Sequence, residues 1–195
     1  MDTKIKIIIL GNTNVGKTSI LRRKVDNIFD SSFTTTLGVD FYYINKEING
    51  KQFKIYIWDT AGQEKFSAIV KSYFRDTDGA IIVFDPTCIN SFENIDRWIN
   101  NLNFYNTYNV PFILAGTKKD IKKKMISEHM INDISKKYNT ECILCSSKDN
   151  ENIDELFDTI IEKILKNKHI FKNTENTDII NKTNIKMKKA CCNIL

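Results

Sequence analysis

The chain has 195 residues, 42% of them hydrophobic, with a net charge of +5 and five cysteines. That is one domain with a buried core plus a tail, since no apolar run is long enough to cross a bilayer and the N-terminus lacks the layout of a signal peptide. The charge is uneven: seven Lys and two acids lie from Lys166 to Leu195, so the remainder holds 22 basic and 22 acidic residues, a balance that argues against a nucleic-acid-binding face.

In chain order, an apolar run at Lys4–Leu10 predicts a strand and Lys17–Val25 a helix. Strands are expected at Phe41–Ile48 and Phe53–Trp58, joined through Asn49-Gly50, a hairpin signal that makes this pair antiparallel. A helix at Ala68–Arg75, a strand at Ala80–Phe84, a helix at Phe92–Tyr105 and a strand at Pro111–Ala115 follow. A helix at Ser127–Tyr138, a strand at Cys142–Cys145 and a helix at Ile153–Lys166 close the series. In the last helix Ile153, Leu156, Phe157, Ile160, Ile161 and Ile164 fall on one face. This alternation predicts an α/β domain with a mainly parallel sheet. Residues 1–170 would form it, and 171–195, rich in Asn, Thr and Lys, a flexible basic tail that cannot fold alone. Cys142 and Cys145 are three apart on a strand and so face opposite sides, which predicts buried small hydrophobes in place of a redox or zinc pair. Cys88 is read as structural as well.

Four blocks carry chemistry. Gly11-Asn12-Thr13-Asn14-Val15-Gly16-Lys17-Thr18 fits GxxxxGK[ST] and stands between a strand and a helix. Such a turn makes a nest of N–H groups for phosphate oxygens, with Lys17 on the terminal phosphates and the Thr18 hydroxyl on Mg²⁺. In Trp58-Asp59-Thr60-Ala61-Gly62-Gln63-Glu64, Asp59 would meet the Mg²⁺ shell through water, Gly62 offers an N–H unobstructed by a Cβ, and Gln63 orients an attacking water. In Thr117-Lys118-Lys119-Asp120 the Asp120 carboxylate accepts the two donors of guanine, N1–H and the N2 amine, which adenine does not match. Ser146-Ser147-Lys148 would bring backbone N–H groups to the guanine oxygen and cover the base with Lys148.

In this order the blocks resemble the small GTPases of the Ras superfamily from about Lys4 to Lys166. Within it the chain is most similar to the Rab branch. Leu37-Gly38-Val39-Asp40-Phe41, Ile55 to Glu64, Ser72-Tyr73-Phe74-Arg75, Ile82-Val83-Phe84-Asp85 and Ser91-Phe92-Glu93-Asn94 carry that likeness. The connection from Asp120 to Ser146 is too short for the extra helix of the Rho branch. The resemblance implies a P-loop small G-domain, a six-stranded, mostly parallel sheet with one antiparallel strand and helices on both faces.

It implies nucleotide contacts from Gly11, Asn14, Val15, Gly16, Lys17, Thr18, Ser19, Phe29, Thr36, Gly62, Thr117, Lys118, Asp120, Ser146, Ser147 and Lys148. Thr18, Thr36 and Asp59 would hold the metal, and Gln63 and Lys17 carry catalysis. Asn27–Gly38 and Thr60–Phe74 would be the two switches, with Phe33 where a Tyr is common. Phe41, Trp58 and Tyr73 match the aromatic triad that meets effectors. Three departures stand out. Thr117 replaces an Asn that contacts the base and ties it to the phosphate loop. Thr13 brings a β-branched side chain near the γ-phosphate. Pro86 is expected to end its strand early.

The ending Cys192-Asn193-Ile194-Leu195 fits CaaX, whose terminal Leu favours geranylgeranyl. Cys191 offers a second lipid site, and Lys186, Lys188 and Lys189 form a basic patch. The function implied is a monomeric GTP/GDP switch of vesicle traffic, lipid-anchored on the cytoplasmic face of an intracellular membrane and cycling with the cytosol. It would work with an exchange factor, a GTPase-activating protein, effectors and a GDP-dissociation inhibitor. A hydrolysis-poor, GTP-locked scaffold, motivated by Thr13, a Rho- or Ras-branch signalling role, and a P-loop ATPase remain as alternatives.

Overall fold

A computed structural model describes residues 3–31, 39–60 and 73–167. The strands are β1 (Thr3–Leu10), β2 (Val39–Ile48), β3 (Lys51–Thr60), β4 (Gly79–Phe84), β5 (Phe112–Gly116) and β6 (Cys142–Leu144). The helices are α1 (Lys17–Asp26), α2 (Ile89–Glu93), α3 (Ile95–Tyr105), α4 (Glu128–Tyr138) and α5 (153–167). The strands form one sheet in the order β2-β3-β1-β4-β5-β6, with β2 antiparallel to β3 and every other pairing parallel. This is the arrangement expected of the α/β domain. At the β2–β3 turn both Asn49 and Gly50 have positive φ, 52° and 72°, the backbone that a two-residue hairpin requires.

The central strands are apolar on both faces because helices cover both. Ile5, Ile7 and Ile9 of β1, Ile81 and Val83 of β4, and Ile113 and Ala115 of β5 pack with α1 and α5. The alternate residues Ile8, Leu10, Ala80, Ile82, Phe84 and Leu114 pack with α2, α3 and α4. A period of two along each strand thus builds two cores. Cys145 joins the first core and Cys142 borders the second, on opposite faces as expected. Burial pushes both thiols up to about 12, so neither is a nucleophile.

Two expectations need correction, the bounds of one helix and the placement of Cys88. The helix expected over Phe92–Tyr105 begins at Ile89 and is interrupted at Asn94, whose side-chain amide donates to the Asn90 carbonyl at 2.8 Å and competes with the helical ladder. The earlier start follows from Ser91, whose hydroxyl accepts from the Asp85 N–H at 2.9 Å and donates to the Cys88 carbonyl at 2.8 Å. Cys88 is exposed at the head of α2 and is not a core residue. The helix expected at Ala68–Arg75 lies mostly outside the described residues, which resume at Tyr73. Pro86 does end its strand: β4 stops at Phe84, and the Pro86 carbonyl accepts from the N–H groups of Met125 and Ile126.

The site is positioned by topology. Helix α1 leaves β1 onto one face of the sheet, and α2 and α3 leave the adjacent β4 onto the other. Loops diverging at the carboxyl ends of two such strands open a crevice, the usual ligand position in an open α/β sheet.

Candidate nucleotide-binding site

The loop between β1 and α1 turns on residues that tolerate unusual backbone. Gly11 has φ 149°, and a Cβ there would lie 2.3 Å from the Val83 carbonyl oxygen, so only glycine fits. Asn14 (φ 64°) and Gly16 (φ 100°) are left-handed, and Gly16 heads α1. No side chain caps that helix start and its first turn holds no acid. Its N–H groups and the positive end of its dipole therefore suit an anion.

Lys17, on the first turn, is nearly fully buried. Its ammonium donates to the Gly11 carbonyl at 2.9 Å and the Asn12 carbonyl at 2.7 Å, which folds it back across the loop. Burial lowers its pKa to about 8, and the charge of Asp59 opposes that shift. Beside it the Thr18 hydroxyl donates to Asp59 Oδ2 at 2.5 Å, both residues buried. Gly11–Thr18 and the end of β3 thus meet, although 41 residues separate Thr18 from Asp59.

The segment after β5 locks onto the same loop. The Thr117 hydroxyl donates to the Val15 carbonyl at 2.6 Å and lies 3.2 Å from that of Phe84. Thr117 thereby ties the segment after β5 to the phosphate loop through its hydroxyl. Lys118, at φ 53°, pairs with Asp85 at 2.5 Å, and Asp85 also accepts from the Thr87 N–H and hydroxyl. The Ser146 hydroxyl donates to Asp120 Oδ1 at 2.8 Å and accepts from the Asp149 N–H at 3.0 Å. This fixes Asp120 against the fourth block.

Three side chains outside the motifs complete the frame. Arg23 on α1 donates through Nε to the Ser147 carbonyl at 2.7 Å, and its other nitrogens reach the carbonyls of Lys148 and Asn27. A trans peptide turns its N–H opposite to its C=O, so holding the Ser147 carbonyl directs the Lys148 N–H away from α1. Trp98 on α3 donates its indole N–H to Asn12 Oδ1 at 2.9 Å. Asp85, by holding Lys118, joins the end of β4 to the segment after β5. None of these three roles was predicted from the sequence, where Ser147, Asn12 and Lys118 lie 124, 86 and 33 residues from Arg23, Trp98 and Asp85.

At the other edge of the sheet, Phe41 and Trp58 face each other across β2 and β3 with ring centroids 5.7 Å apart, and Trp58 lies 5.7 Å from Tyr73. The expected triad is thus contiguous, and Phe41 is 54% exposed. It continues to Tyr56, 6.1 Å from Phe41, and to Tyr43 through Lys54, whose ammonium stands 4.3 Å over the Tyr43 ring and 5.5 Å over that of Tyr56. Phe29, after α1, is also exposed. The expected roles of Phe33, Thr36, Gly62, Gln63, Cys191 and Cys192 fall outside the described residues.

The Ras family model matches residues 6–166. The chain is 35% identical over 193 residues to "Ras-related protein Rab-10" of Diplobatis ommata, covering 98% of this chain and 96% of that protein. It is 35% identical over 163 residues to "Ras-related protein SEC4" of Saccharomyces cerevisiae, covering 84% and 76%. It is 33% identical over 193 residues to "Ras-related protein RabC" of Dictyostelium discoideum, covering 96% of each.

Proposed function

The chain belongs to the Ras family and is a Rab-type small GTPase of membrane traffic, and from that premise we propose which of its residues carry each part of the switch. The observation that carries the reading is the double latch at the crevice. Thr117 closes on the Val15 carbonyl while Ser146 holds Asp120, so phosphate loop and base-reading segment are one rigid unit. Residues 1–170 act as the G-domain, with 171–195 as its tail.

In this reading Asp120 accepts the guanine N1–H and N2 amine. Its Ser146 bond keeps the carboxylate from rotating away, and a fixed acceptor discriminates better than a mobile one. Ser146, Ser147 and Lys148 enclose the base with Lys118, Thr117 and Phe29. Gly11, Asn14, Val15, Gly16 and Ser19 cradle the phosphates with backbone N–H groups. The Lys17 ammonium, held on two carbonyls in a place where its charge is under-solvated, gains from phosphate oxygens there. That preference is strongest as negative charge shifts toward the leaving oxygen during γ-phosphoryl transfer. Gln63 orients the attacking water, whose oxygen joins the γ-phosphorus as the bond to the β-phosphate oxygen breaks, giving GDP and phosphate.

The donors present fit Mg²⁺. Thr18 and Asp59 are adjacent, buried oxygen donors, and no group of three His, Cys, Asp or Glu suited to a metal occurs among the described residues. Mg²⁺ needs few protein ligands because phosphates and water complete its shell. Thr18, Asp59 and Thr36 would hold it. Bound there, it supplies positive charge that offsets the phosphate oxygens. Thr36 and Gly62 sense the γ-phosphate, and its loss releases the switches.

Phe41, Trp58 and Tyr73 form the surface that effectors read. A GTPase-activating protein supplies the missing cation in trans, and an exchange factor and a GDP-dissociation inhibitor complete the cycle. Geranylgeranyl on Cys191 or Cys192, with Lys186, Lys188 and Lys189, holds the chain at the cytoplasmic face of an intracellular membrane. The test is chromatography of the nucleotide released from purified protein, followed by single-turnover hydrolysis. About one GDP per chain, and GTP turnover that Gln63→Leu abolishes, support the reading. Bound ATP, or equal rates in both proteins, would sink it.

A further inference from the structure

We infer that the loop between β5 and α4 is a second membrane contact, a basic and apolar finger that docks on anionic lipid. Residues 118–124 read Lys-Lys-Asp-Ile-Lys-Lys-Lys, but their charges are not equivalent. Lys118 is paired with Asp85, Lys119 with Glu151, and Asp120 accepts from Ser146. Lys122, Lys123 and Lys124 are exposed and have no ion pair among the described residues. Ile121 (40% exposed) and Met125 (59% exposed) flank them.

The finger is held at both ends. The Ile121 N–H donates to the Lys118 carbonyl at 2.9 Å. At the other end Met125 and Ile126 donate to the Pro86 carbonyl at 2.8 and 3.1 Å, and the Ile126 side chain is buried. Five side chains therefore project from a fixed base, and little backbone order remains to be lost on contact. Three uncompensated cations between two exposed apolar side chains match a surface that is negative outside and hydrocarbon inside.

The inference rests on the proposal that the tail is anchored in a membrane, and chain length permits both contacts at once. The tail leaves α5 at Asn167, whose amide donates to the Asn109 carbonyl near the entry of β5, whereas the finger follows the exit of that strand. Helix α5, about 22 Å long, separates these ends. The residues from Asn167 to Cys191 reach up to about 80 Å when extended. One bilayer plane can therefore touch the lipidated tail and the finger, with the domain lying on its side.

The test is co-sedimentation of the full, unlipidated chain with vesicles of phosphatidylserine and phosphatidylcholine, and with phosphatidylcholine alone. Lys122→Ala/Lys123→Ala/Lys124→Ala and Ile121→Ser/Met125→Ser are compared with Lys186→Ala/Lys188→Ala/Lys189→Ala in the tail. Bound GDP reports that each variant is folded. The loop charge variant is expected to weaken binding to the anionic vesicles by about ten- to a hundredfold. The apolar variant is expected to lose the binding that remains at high salt, and the tail variant to retain the loop's contribution. Loop variants that bind like the parent overturn the proposal, as does a parent that prefers neutral vesicles or binds neither. Because the chain carries no lipid, these outcomes do not depend on prenylation, which mass spectrometry of the chain from its native host tests separately.

Discussion

The crevice at the carboxyl end of the sheet and the aromatic face of β2 and β3 are built on opposite rules. In the crevice nearly every polar side chain is committed to another part of the chain: Lys17 to two carbonyls, Thr117 to Val15, Ser146 to Asp120, Arg23 to Ser147. On the aromatic face Phe41, Tyr43 and their neighbours touch mainly one another and two lysines, and present their rings to solvent. A site for a small charged ligand gains from groups fixed before the ligand arrives. A docking face gains from apolar area still in water, which is removed from it only on contact.

The sharpest way to break the contrast is Gly11→Ala. A methyl group 2.3 Å from a backbone carbonyl has no side chain to push aside, so the loop must shift at a cost of about 3 kcal/mol. Nucleotide-loaded protein should be unobtainable, as measured by bound nucleotide per chain. Thr117→Val is next. It leaves the Val15 carbonyl without its hydroxyl donor in a buried place, a loss of about 1–3 kcal/mol. GDP release, followed with a fluorescent analogue, should quicken between about fivefold and a hundredfold. An unchanged rate would mean that Thr117 does not hold the loop in solution. Trp98→Phe removes one donor to Asn12 with the ring volume largely kept, so about 1 kcal/mol and a severalfold faster release are expected. Phe41→Ala should have the least effect inside the molecule. At 54% exposure it should change the thermal midpoint by only a few degrees and leave GDP release untouched, while capture of effectors by the GTP form is lost. If GDP release changes as well, the two regions are coupled and the contrast is too simple.

The parts of this design that were legible in the sequence are those written in local periods. Continuous apolar runs along β1, β4 and β5 signalled strands buried on two faces, Asn49-Gly50 signalled the hairpin, and the spacing from Ile153 to Ile164 marked the buried side of α5. The two-residue period of a strand placed Cys142 and Cys145 on opposite faces. The blocks around Gly11, Asp59, Asp120 and Ser146 could be read because each is contiguous. What joins them could not, because the joints span 102 residues from Thr117 to Val15, 124 from Arg23 to Ser147 and 86 from Trp98 to Asn12. No periodicity encodes such contacts; they follow only once the strand order is fixed. Cys88 was misjudged for a different, local reason. Its exposure depends on how Ser91 folds the head of α2, a local hydrogen-bond choice that composition does not reveal.

The chain holds only two tryptophans, and they divide the molecule between them. The indole of Trp98 is hydrogen-bonded to the phosphate loop, and that of Trp58 lies between the rings of Phe41 and Tyr73, tilted against both. Each ring is therefore a built-in optical reporter of one region. In a chain keeping only Trp98, ultraviolet emission reads the nucleotide pocket without any label. In one keeping only Trp58, it reads the arrival of a partner. The same protein can thus display its loading and its engagement as two separate signals.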